Sequence, residues 1–274
     1  MDIDAYLRRD PIADRGISIV MPAWNEAENL ELAVTNASEA MERLGRGHEI
    51  IVVDDGSTDA TAEVAARVAA SNRRFRLVRH DSRRGYGAAL RSGFHEAKYP
   101  LVMQIDADGQ YDASDVTRLL AAIDQVDIVC GVRERSLRSL GGRLGYWLYR
   151  RFVRAVFGGH VHDVDCGFRL YRRAALRRIP IQSTGRFANA EILAKATFIS
   201  LLVGEAPVSV RARRFGCGSR PRESLAHVLR EAGVVFRRPQ WHDVMALSAR
   251  SGETANTEKL EIRNPKSEGN PKCE

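Results

Sequence analysis

The chain has 274 residues, of which 44% are hydrophobic and 28% charged, with a formal net charge of +7. This composition supports one large domain or a domain with appendages, and it excludes a chain that is disordered throughout. The four cysteines are widely scattered with no CxxC pair, which excludes a disulfide framework and a zinc ribbon and suits a reducing cytoplasm.

The charge is unevenly divided along the chain. Residues 1–129 carry 22 acidic and 15 basic side chains, whereas residues 130–240 carry 7 acidic and 22 basic ones. This division suggests that the first part binds a cation and that the second binds an anion or an anionic surface. The N-terminal MDIDAYLRRD is too polar for a signal peptide, and no apolar stretch reaches the roughly 18 residues of a spanning helix.

Strand and helix signals alternate through the first half of the chain. The predicted strands are residues 16–22, 48–55, 75–80, 100–106 and 127–132, and the predicted helices are residues 26–45, 56–70, 85–99 and 113–123. Strands joined by helices predict an α/β fold with a mostly parallel sheet flanked by helices.

The second half is less regular and strongly basic. We predict helices over residues 143–158 and 186–198, an extended segment over 163–173, an edge strand near Pro207, and disorder beyond about residue 250. The 143–157 helix mixes arginines with aromatic residues, which suits either anionic lipid headgroups or a solvated basic face on an ordinary core helix.

Polar residues follow three of the predicted parallel strands. The first strand ends in Pro22, Trp24, Asn25 and Glu26, the second in Asp54, Asp55 and Gly56, and the fourth in Asp106 and Asp108. Because ligands of such sheets bind outside the carboxyl ends of the strands, these residues are expected to meet at one site.

The run IDADGQYD places two carboxylates close together at a strand end. Asp106 and Asp108 can face a common cation, and hard oxygen ligands suit Mg²⁺ or Mn²⁺. The alternative is a surface turn in which Asp112 caps the next helix. A second metal site around His160 and His162 is not favoured, because alternation places Asp163 on the other strand face.

The motifs MPAWNEAENL, IIVVDDGSTDAT, RRGYGAALRSGF and LVMQIDADGQYD, followed by DVDCGFRLYRRAAL, resemble those of family 2 glycosyltransferases. The resemblance spans residues 16–220 and is closest to polyprenyl-phosphate glycosyltransferases of the dolichol-phosphate mannose synthase type. It implies a GT-A (Rossmann-like) fold with a basic C-terminal, acceptor-binding part. The expected division is an N-terminal extension (1–15), a nucleotide-sugar-binding half (16–132), an acceptor-binding, membrane-facing half (133–249) and a disordered tail (250–274).

The resemblance also implies a reaction. A hexose would be transferred with inversion from GDP-mannose or a UDP-sugar to polyprenyl phosphate, with Mg²⁺ or Mn²⁺ as cofactor. The enzyme would be a peripheral protein on the cytoplasmic face of an anionic membrane. A membrane-protein partner or a homo-oligomer is left open, and no nucleic-acid-binding signature accompanies the basic clusters.

Site residues follow from the same resemblance. The nucleotide-sugar-binding set is Pro22, Ala23, Trp24, Asn25, Glu26, Asp54, Asp55, Gly85, Gly87, Asp106, Ala107 and Asp108. The metal-binding set is Asp106, Asp108 and Gln110. The catalytic set is Asp106, Asp108, Arg133, Arg169 and Arg214, in which the arginines are expected to face phosphates.

Two alternatives belong beside this interpretation. A glycosyltransferase acting on a hydroxyl acceptor would need a general base, for which Asp163 and Asp165 are candidates unless they pair with neighbouring arginines. A phosphate acceptor needs no base, since a phosphate monoester is already anionic, with a second pKa of about 6. The other alternative is a non-catalytic lipid-binding scaffold with the same fold.

Overall fold

The computed structural model describes residues 12–134, 151, 161–215 and 230–233. Its strands are β1 (Ile17–Ala23), β2 (His48–Asp54), β3 (Phe75–Arg79), β4 (Leu101–Gln104), β5 (Ile128–Arg133), β6 (Arg169–Arg172) and β7 (Val203–Val208). Its helices are α1 (Ala27–Arg43), α2 (Thr61–Ser71), α3 (Tyr86–Glu96), α4 (Val116–Ile123), α5 (Arg173–Leu176) and α6 (Ala188–Phe198), with a 3-10 turn at Ala113–Asp115. The helix predicted over 143–158 and the tail beyond 250 lie outside the described residues.

The described strands form one seven-stranded sheet in the order β3-β2-β1-β4-β6-β5-β7. β1 runs parallel to β2 and β4, β2 is parallel to β3, and β5 is parallel to β7. β6 runs antiparallel to both of its neighbours, β4 and β5. The predicted mostly parallel α/β fold is therefore confirmed, and the extended segment predicted over 163–173 supplies the antiparallel strand.

Apolar strands hold the centre of the molecule. β1 and β2 are buried along their whole length, as expected for parallel strands covered on both faces. Helices α1, α2 and α4 contribute to the core on one face, and α3, α5 and α6 to the core on the other. The carboxyl ends of β1, β2 and β4 therefore open at one edge between two helical layers.

The second half of the chain completes the same sheet. β7 lies at the sheet edge, as predicted from Pro207, which lacks an amide donor. β6 and β7 come from the predicted acceptor-binding half, so the sheet continues across the boundary expected at residue 132. Within the described residues, no helix is long and apolar enough to cross a membrane.

Candidate functional site

The loops after β1 and β2 are joined by side-chain hydrogen bonds. The Asn25 backbone amide donates to Ser57 Oγ (2.9 Å), and the Thr58 amide donates to Asn25 Oδ1 (2.9 Å). Asn25 adopts a φ of 54°, a left-handed conformation that asparagine tolerates. Pro22 is buried within β1, and the Ala23 carbonyl accepts from the Asp55 amide (2.9 Å). The predicted nucleotide-sugar-binding residues after β1 and β2 are thus held together by hydrogen bonds along one edge of the site, named here the rim.

Asp54 and Asp55 have different tasks. Asp54 is fully buried, accepts from the Ser57 amide (3.0 Å), and lies 3.3 Å from the Arg79 guanidinium. Asp55 accepts from His80 Nδ1 (2.8 Å) and from the backbone amides of Arg84 and Gly85 (2.8 Å each). Asp55 therefore organises the loop after β3, because its carboxylate is occupied by protein donors.

An aromatic ring and a guanidinium are stacked at the same rim. The Arg83 guanidinium carbon lies 3.6 Å from the Trp24 ring centroid, a cation–π contact. Trp24 is half-buried, while Arg83 is exposed. The pair presents a planar, positively charged surface after the end of β1, the kind of surface on which an aromatic base can stack.

The aspartate run follows β4 and is buried. Asp106 is 6% exposed, Asp108 3% and Ala107 between them 1%. Asp106 Oδ1 accepts from the Tyr86 hydroxyl (3.0 Å), and Asp108 Oδ1 accepts from the Gln110 backbone amide (3.2 Å). The chain turns at Gly109, whose φ is 69°. Two carboxylates thus lie in a poorly hydrated environment, where a nearby cation stabilises their charges.

An arginine that the sequence analysis did not predict, Arg213, lies close to Asp108. Arg213 Nη2 contacts Glu26 Oε2 at 2.6 Å, and its Nη1 lies 3.7 Å from Asp108 Oδ2. Asn29 also donates to Glu26 Oε2 (3.0 Å). Arg213 therefore links the end of β1 to the end of β4, and it is the arginine next to the one predicted.

Residues 209–215, named here the strap, cross over the aspartate run. The Arg211 amide donates to the Gln110 carbonyl (2.8 Å), Gln110 Nε2 donates back to the Arg211 carbonyl (3.3 Å), and Arg211 pairs with Asp112. The strap reaches α1, where Asn29 donates to the Phe215 carbonyl (3.3 Å). Arg214 lies on the exposed side, its guanidinium 5.5 Å from the Phe215 ring centroid.

Asp112 also has the capping role that was weighed against a metal site. Its Oδ1 accepts from the Ser114 amide (3.0 Å) and hydroxyl (2.6 Å) at the 3-10 turn. This hydrogen bonding, together with the charge of Arg211, holds the pKa of Asp112 below its usual value. Ser57 and Thr58 bond to Asn25, and at the start of α2 Asp59 Oδ1 accepts from the Thr61 amide (3.0 Å).

Arg133 and Asp163 form a close, bidentate ion pair. Arg133 Nε lies 2.5 Å from Asp163 Oδ2, and Nη2 lies 2.6 Å from Oδ1. Asp165 pairs with Arg186 at 3.1 Å. The two aspartates considered as general bases are therefore each held by an arginine, the structural role that the sequence analysis set against catalysis.

Arg169 does not face a solvent-accessible site. It is fully buried, and its guanidinium donates to the carbonyls of Cys166 (3.0 Å), Asn189 (3.0 Å) and Val164. It therefore fixes the loop before β6 against α6. This placement corrects the expectation of a phosphate contact, because three protein carbonyls already occupy the guanidinium. The loop brings Gly167 next to Asp106, where a Cβ atom would lie 2.4 Å from Oδ2.

Gly85 and Gly87 accommodate protein backbone. Gly85 has a φ of 101°, and a Cβ there would lie 2.3 Å from the Thr184 carbonyl oxygen. A Cβ at Gly87 would lie 2.3 Å from the Ser183 carbonyl oxygen, and the Gly87 amide donates to Thr184 (2.8 Å). The absence of a side chain at these glycines thus lets the 183–184 loop approach closely, and the donor contacts that the family resemblance implies for them stay a prediction.

Tyr111 and Cys166 are buried side chains near the aspartates. Burial, with the nearby Cys166 and Asp106, raises the pKa of Tyr111 well above its usual value, so its hydroxyl stays protonated. Tyr111 accepts from the Gly167 amide (3.0 Å). Burial likewise raises the pKa of Cys166 to about 12 and that of Cys130 to about 11, so both remain thiols.

The carboxylate oxygens of this site suit a hard divalent cation that the protein coordinates only in part. Within residues 12–134, 151, 161–215 and 230–233, no group of three or more His, Cys, Asp or Glu side chains could hold a metal ion. Asp106 and Asp108 supply two carboxylates, the first packed directly against Gly167 and the second already close to a guanidinium. Mg²⁺ is commonly bound by one or two carboxylates plus substrate phosphates, so the residues fit such an ion.

An α/β sheet with acidic residues at its carboxyl edge and a basic strap above them is an arrangement suited to a sugar-nucleotide enzyme. Residues 18–180 match the family described as glycosyl transferase family 2. The chain belongs to this family.

Curated relatives transfer sugars to lipid phosphates, as their names state. The chain is 31% identical over 231 residues to polyprenol monophosphomannose synthase of Mycolicibacterium smegmatis, covering 77% of this chain and 84% of the relative. It is 28% identical to dolichyl-phosphate beta-glucosyltransferase of Saccharomyces cerevisiae, covering 70% and 66%. An undecaprenyl-phosphate 4-deoxy-4-formamido-L-arabinose transferase of Edwardsiella ictaluri is 32% identical, but the chain spans only 50% of its length.

Solved structures share the fold. Glucosyl-3-phosphoglycerate synthase of Mycobacterium tuberculosis, in complex with phosphoglyceric acid, aligns with a TM-score of 0.62 and 26% identity over 81% of each chain. A complex of that enzyme with Mn²⁺, UDP and glucosyl-3-phosphoglycerate gives a TM-score of 0.64 at 24% identity, covering 82% of this chain and 80% of that one. The chain therefore has the GT-A fold predicted from its motifs.

Two residues near the aspartates were missed by the sequence analysis. Tyr86 lies in the GYGAAL motif, of which only Gly85 and Gly87 were predicted to belong to the site. Arg213 lies in the basic RARR run. The run indicates that an arginine lies near the phosphates, but the sequence does not show which of the neighbouring arginines it is. Their contacts with Asp106 and Asp108 depend on how α3 and the strap pack over the end of β4.

Proposed function

We propose that the protein transfers a hexose from a nucleotide-sugar to polyprenyl phosphate, with Mg²⁺ or Mn²⁺ bound at Asp106 and Asp108. The observation that carries this proposal is the meeting of three groups at the carboxyl edge: the buried aspartate run, the Asp54 rim and the strap arginine, Arg213. The names of the relatives support a lipid phosphate as acceptor.

Each group at this edge has a role in the proposal. Asp54 and the Trp24–Arg83 stack bind the nucleoside, while Asp106, Asp108 and Gln110 would hold a divalent cation. When bound, such an ion would supply electrostatic stabilisation for the diphosphate leaving group. Arg213, which reaches both Glu26 and Asp108, exchanges these carboxylates for diphosphate oxygens when the donor binds.

The acceptor in the proposal needs no proton-abstracting residue. Asp163 and Asp165, the candidates for such a base, are paired with Arg133 and Arg186. A phosphate monoester attacks as an anion at neutral pH, because its second pKa is about 6. These ion pairs favour a phosphate acceptor over a hydroxyl acceptor. The proposed location is the cytoplasmic face of an anionic membrane, to which the basic second half binds peripherally.

The test is a transfer assay with radiolabelled GDP- and UDP-sugars, Mn²⁺ and undecaprenyl phosphate in detergent. We expect label to enter the organic phase only when the lipid phosphate is present, and a chelator to stop the transfer. Asp108→Ala should reduce the rate at least about a hundredfold, since the leaving group loses its stabilisation.

Parallel reactions with phosphoglyceric acid or no acceptor discriminate the alternatives. Metal-dependent transfer to phosphoglyceric acid with no lipid product would replace the proposed acceptor by a hydroxyl. Absence of turnover with every donor, in a protein that still binds undecaprenyl-phosphate vesicles, would favour the non-catalytic scaffold. Transfer that continues unchanged with a chelator present would contradict the role given to Asp106 and Asp108.

A further inference from the structure

A buried hydrogen-bonded chain of side chains ends on Asp106. The Tyr171 hydroxyl contacts Gln104 Oε1 (2.7 Å), and Gln104 Nε2 donates to the Tyr86 hydroxyl oxygen (2.9 Å) and to Asn189 Oδ1 (3.1 Å). Tyr86 in turn donates to Asp106 Oδ1 (3.0 Å). Gln104 and Tyr171 are fully buried, Asn189 is 2% exposed and Asp106 6%, whereas Tyr86 is half-buried, so most of the network lies within the protein.

The direction of these hydrogen bonds is determined by the donors and acceptors available. Asn189 Oδ1 accepts one proton of the Gln104 amide, which turns the amide nitrogen toward Tyr86 and its oxygen toward Tyr171. The Tyr86 oxygen then accepts from Gln104, and its own proton points to the Asp106 carboxylate. The network therefore presents a fixed donor to one oxygen of Asp106.

The backbone around Tyr86 is also held on both sides. The Gly85 amide donates to Asp55 Oδ2 (2.8 Å), and the Gly87 amide donates to the Thr184 carbonyl (2.8 Å). Tyr86 is the first residue of α3, so the phenol projects from a fixed helix start. Its hydroxyl position is consequently set by main-chain contacts as well as by Gln104.

We propose that Tyr86 is a positioning residue for the cation site: its hydroxyl orients the Asp106 carboxylate for a divalent ion. The inference rests on the proposed function, because it assumes that Asp106 binds the ion. A ligand whose second oxygen is held by a hydrogen bond loses less freedom on binding, and outer-shell partners of this kind typically change metal affinity about 10–100-fold.

The test is Mn²⁺ binding by the full-length chain, followed by the EPR signal of free Mn²⁺, with the metal alone and with UDP or GDP added. Tyr86→Phe removes only the hydroxyl and should raise the Kd for Mn²⁺ about tenfold. In the transfer assay, the KM for Mn²⁺ should rise, while kcat at saturating Mn²⁺ should return to within about twofold of the wild type, since the hydroxyl acts through Asp106.

Tyr171→Phe is the matched control, because it removes a hydroxyl from the far end of the same network, two hydrogen bonds further from Asp106 than Tyr86. We expect it to lower the melting temperature more than Tyr86→Phe does, since it leaves the buried Gln104 Oε1 without this partner, and to leave the Kd for Mn²⁺ within about threefold. An unchanged Kd in Tyr86→Phe, or equal losses of affinity in both variants, would overturn the inference.

Asp106→Asn separates this inference from the proposed function. If the wild type binds no Mn²⁺ with either nucleotide, the proposed function fails. If the wild type binds Mn²⁺, Asp106→Asn does not, and Tyr86→Phe binds as the wild type does, only the role of Tyr86 fails. Should Tyr86→Phe be too unstable to purify, Asn189→Ala, which removes the other acceptor of the Gln104 amide, should also raise the Kd for Mn²⁺; an unchanged Kd there would contradict the network.

Discussion

Arg213 carries a positive charge to a place where two buried carboxylates would otherwise repel each other. Its guanidinium contacts Glu26 and lies near Asp108, while the neighbouring Arg214 lies over Phe215 on the exposed side of the strap. Arg213 and Arg214 are therefore a matched pair for mutation, because they have the same charge and are adjacent in the chain but have different surroundings.

We expect Arg213→Met to lower the rate of sugar transfer about a hundredfold, because a charged donor is lost where the diphosphate charge develops. Arg214→Met should change the rate less than about twofold, as expected for an exposed charge. Initial rates at saturating donor, lipid and Mn²⁺ give the comparison. Equal losses in the two variants would show that the strap contributes only general positive charge.

At the residue scale, the sequence predicted local features better than distant partners. Asp106 and Asp108 could be found because a strand end and a two-residue spacing are local properties. Arg214 was predicted from the family resemblance, whereas the structure places its neighbour Arg213 close to Asp108. A run of adjacent arginines does not by itself show which of them faces the aspartates. Arg169 was misassigned because one of its carbonyl partners, Asn189, comes from α6, 20 residues away.

Helix α6 contains a fully buried ion pair that holds an adjacent loop. Lys195 Nζ contacts Glu191 Oε1 (2.5 Å), the Pro180 carbonyl (2.5 Å) and Gln182 Oε1 (3.1 Å). Glu191 also accepts from the Gln182 and Ser183 amides (2.9 and 2.7 Å). Glu191 is therefore a buried salt-bridge partner, and the pair supports the loop that packs against Gly85.

Breaking this pair should be costly for folding. Lys195→Met leaves the Glu191 charge buried without its partner, and we expect the free energy of unfolding to fall by about 3 to 5 kcal/mol. Combining it with Glu191→Gln should recover part of that loss, because no uncompensated charge remains. Urea denaturation of the two single variants and the double variant provides the measurement; additive losses would contradict a direct coupling.

The first residue of β2 introduces a pH dependence of stability. Burial lowers the pKa of His48 below its usual value of 6.5, even though its Nδ1 lies 3.2 Å from the Arg46 carbonyl. The unfolded chain therefore binds a proton more readily than the folded one, and stability falls as the pH drops below about 6.5. Urea midpoints at pH 5.5 and 7.5 should differ more for the wild type than for His48→Gln; identical differences would contradict the assignment.

At the element scale, five strands and their connecting helices could be predicted because apolar runs and turn residues alternate locally. The position of β6 could not. Residues 163–173 were expected to be extended, but only tertiary packing places β6 between β4 and β5 and reverses its direction. The helix limits also differed by a few residues, as α2 begins at Thr61 and not near Gly56.

On the scale of the whole molecule, the proposed cation site has a positive charge of its own, Arg213, that does not depend on a metal. Arg213 lies beside Asp108, so removal of divalent ions does not leave the aspartate run without a positive neighbour. We expect a chelator to abolish transfer while shifting the melting temperature of the donor-free protein by less than about 2 °C, since only ligands that bind the folded state tightly stabilise it.

Arg213→Met supplies the comparison for this prediction. With the counter-charge removed, Mn²⁺ should raise its melting temperature more than it raises that of the wild type, because the ion then relieves the repulsion around Asp108. Differential scanning fluorimetry with Mn²⁺ and with a chelator measures both shifts. A large loss of wild-type stability on chelation would contradict the compensating role of Arg213.

The place of β6 in the sheet has a consequence for the order of folding. β1 to β4 are assembled from neighbouring segments, whereas β5 joins β4 only through β6, which is made about 36 residues later than the end of β5. A nascent chain that has emerged as far as Arg133 therefore contains both aspartates of the site but not Gly167, which borders Asp106. The surroundings of Asp106 are consequently complete only after the chain has been made beyond β6.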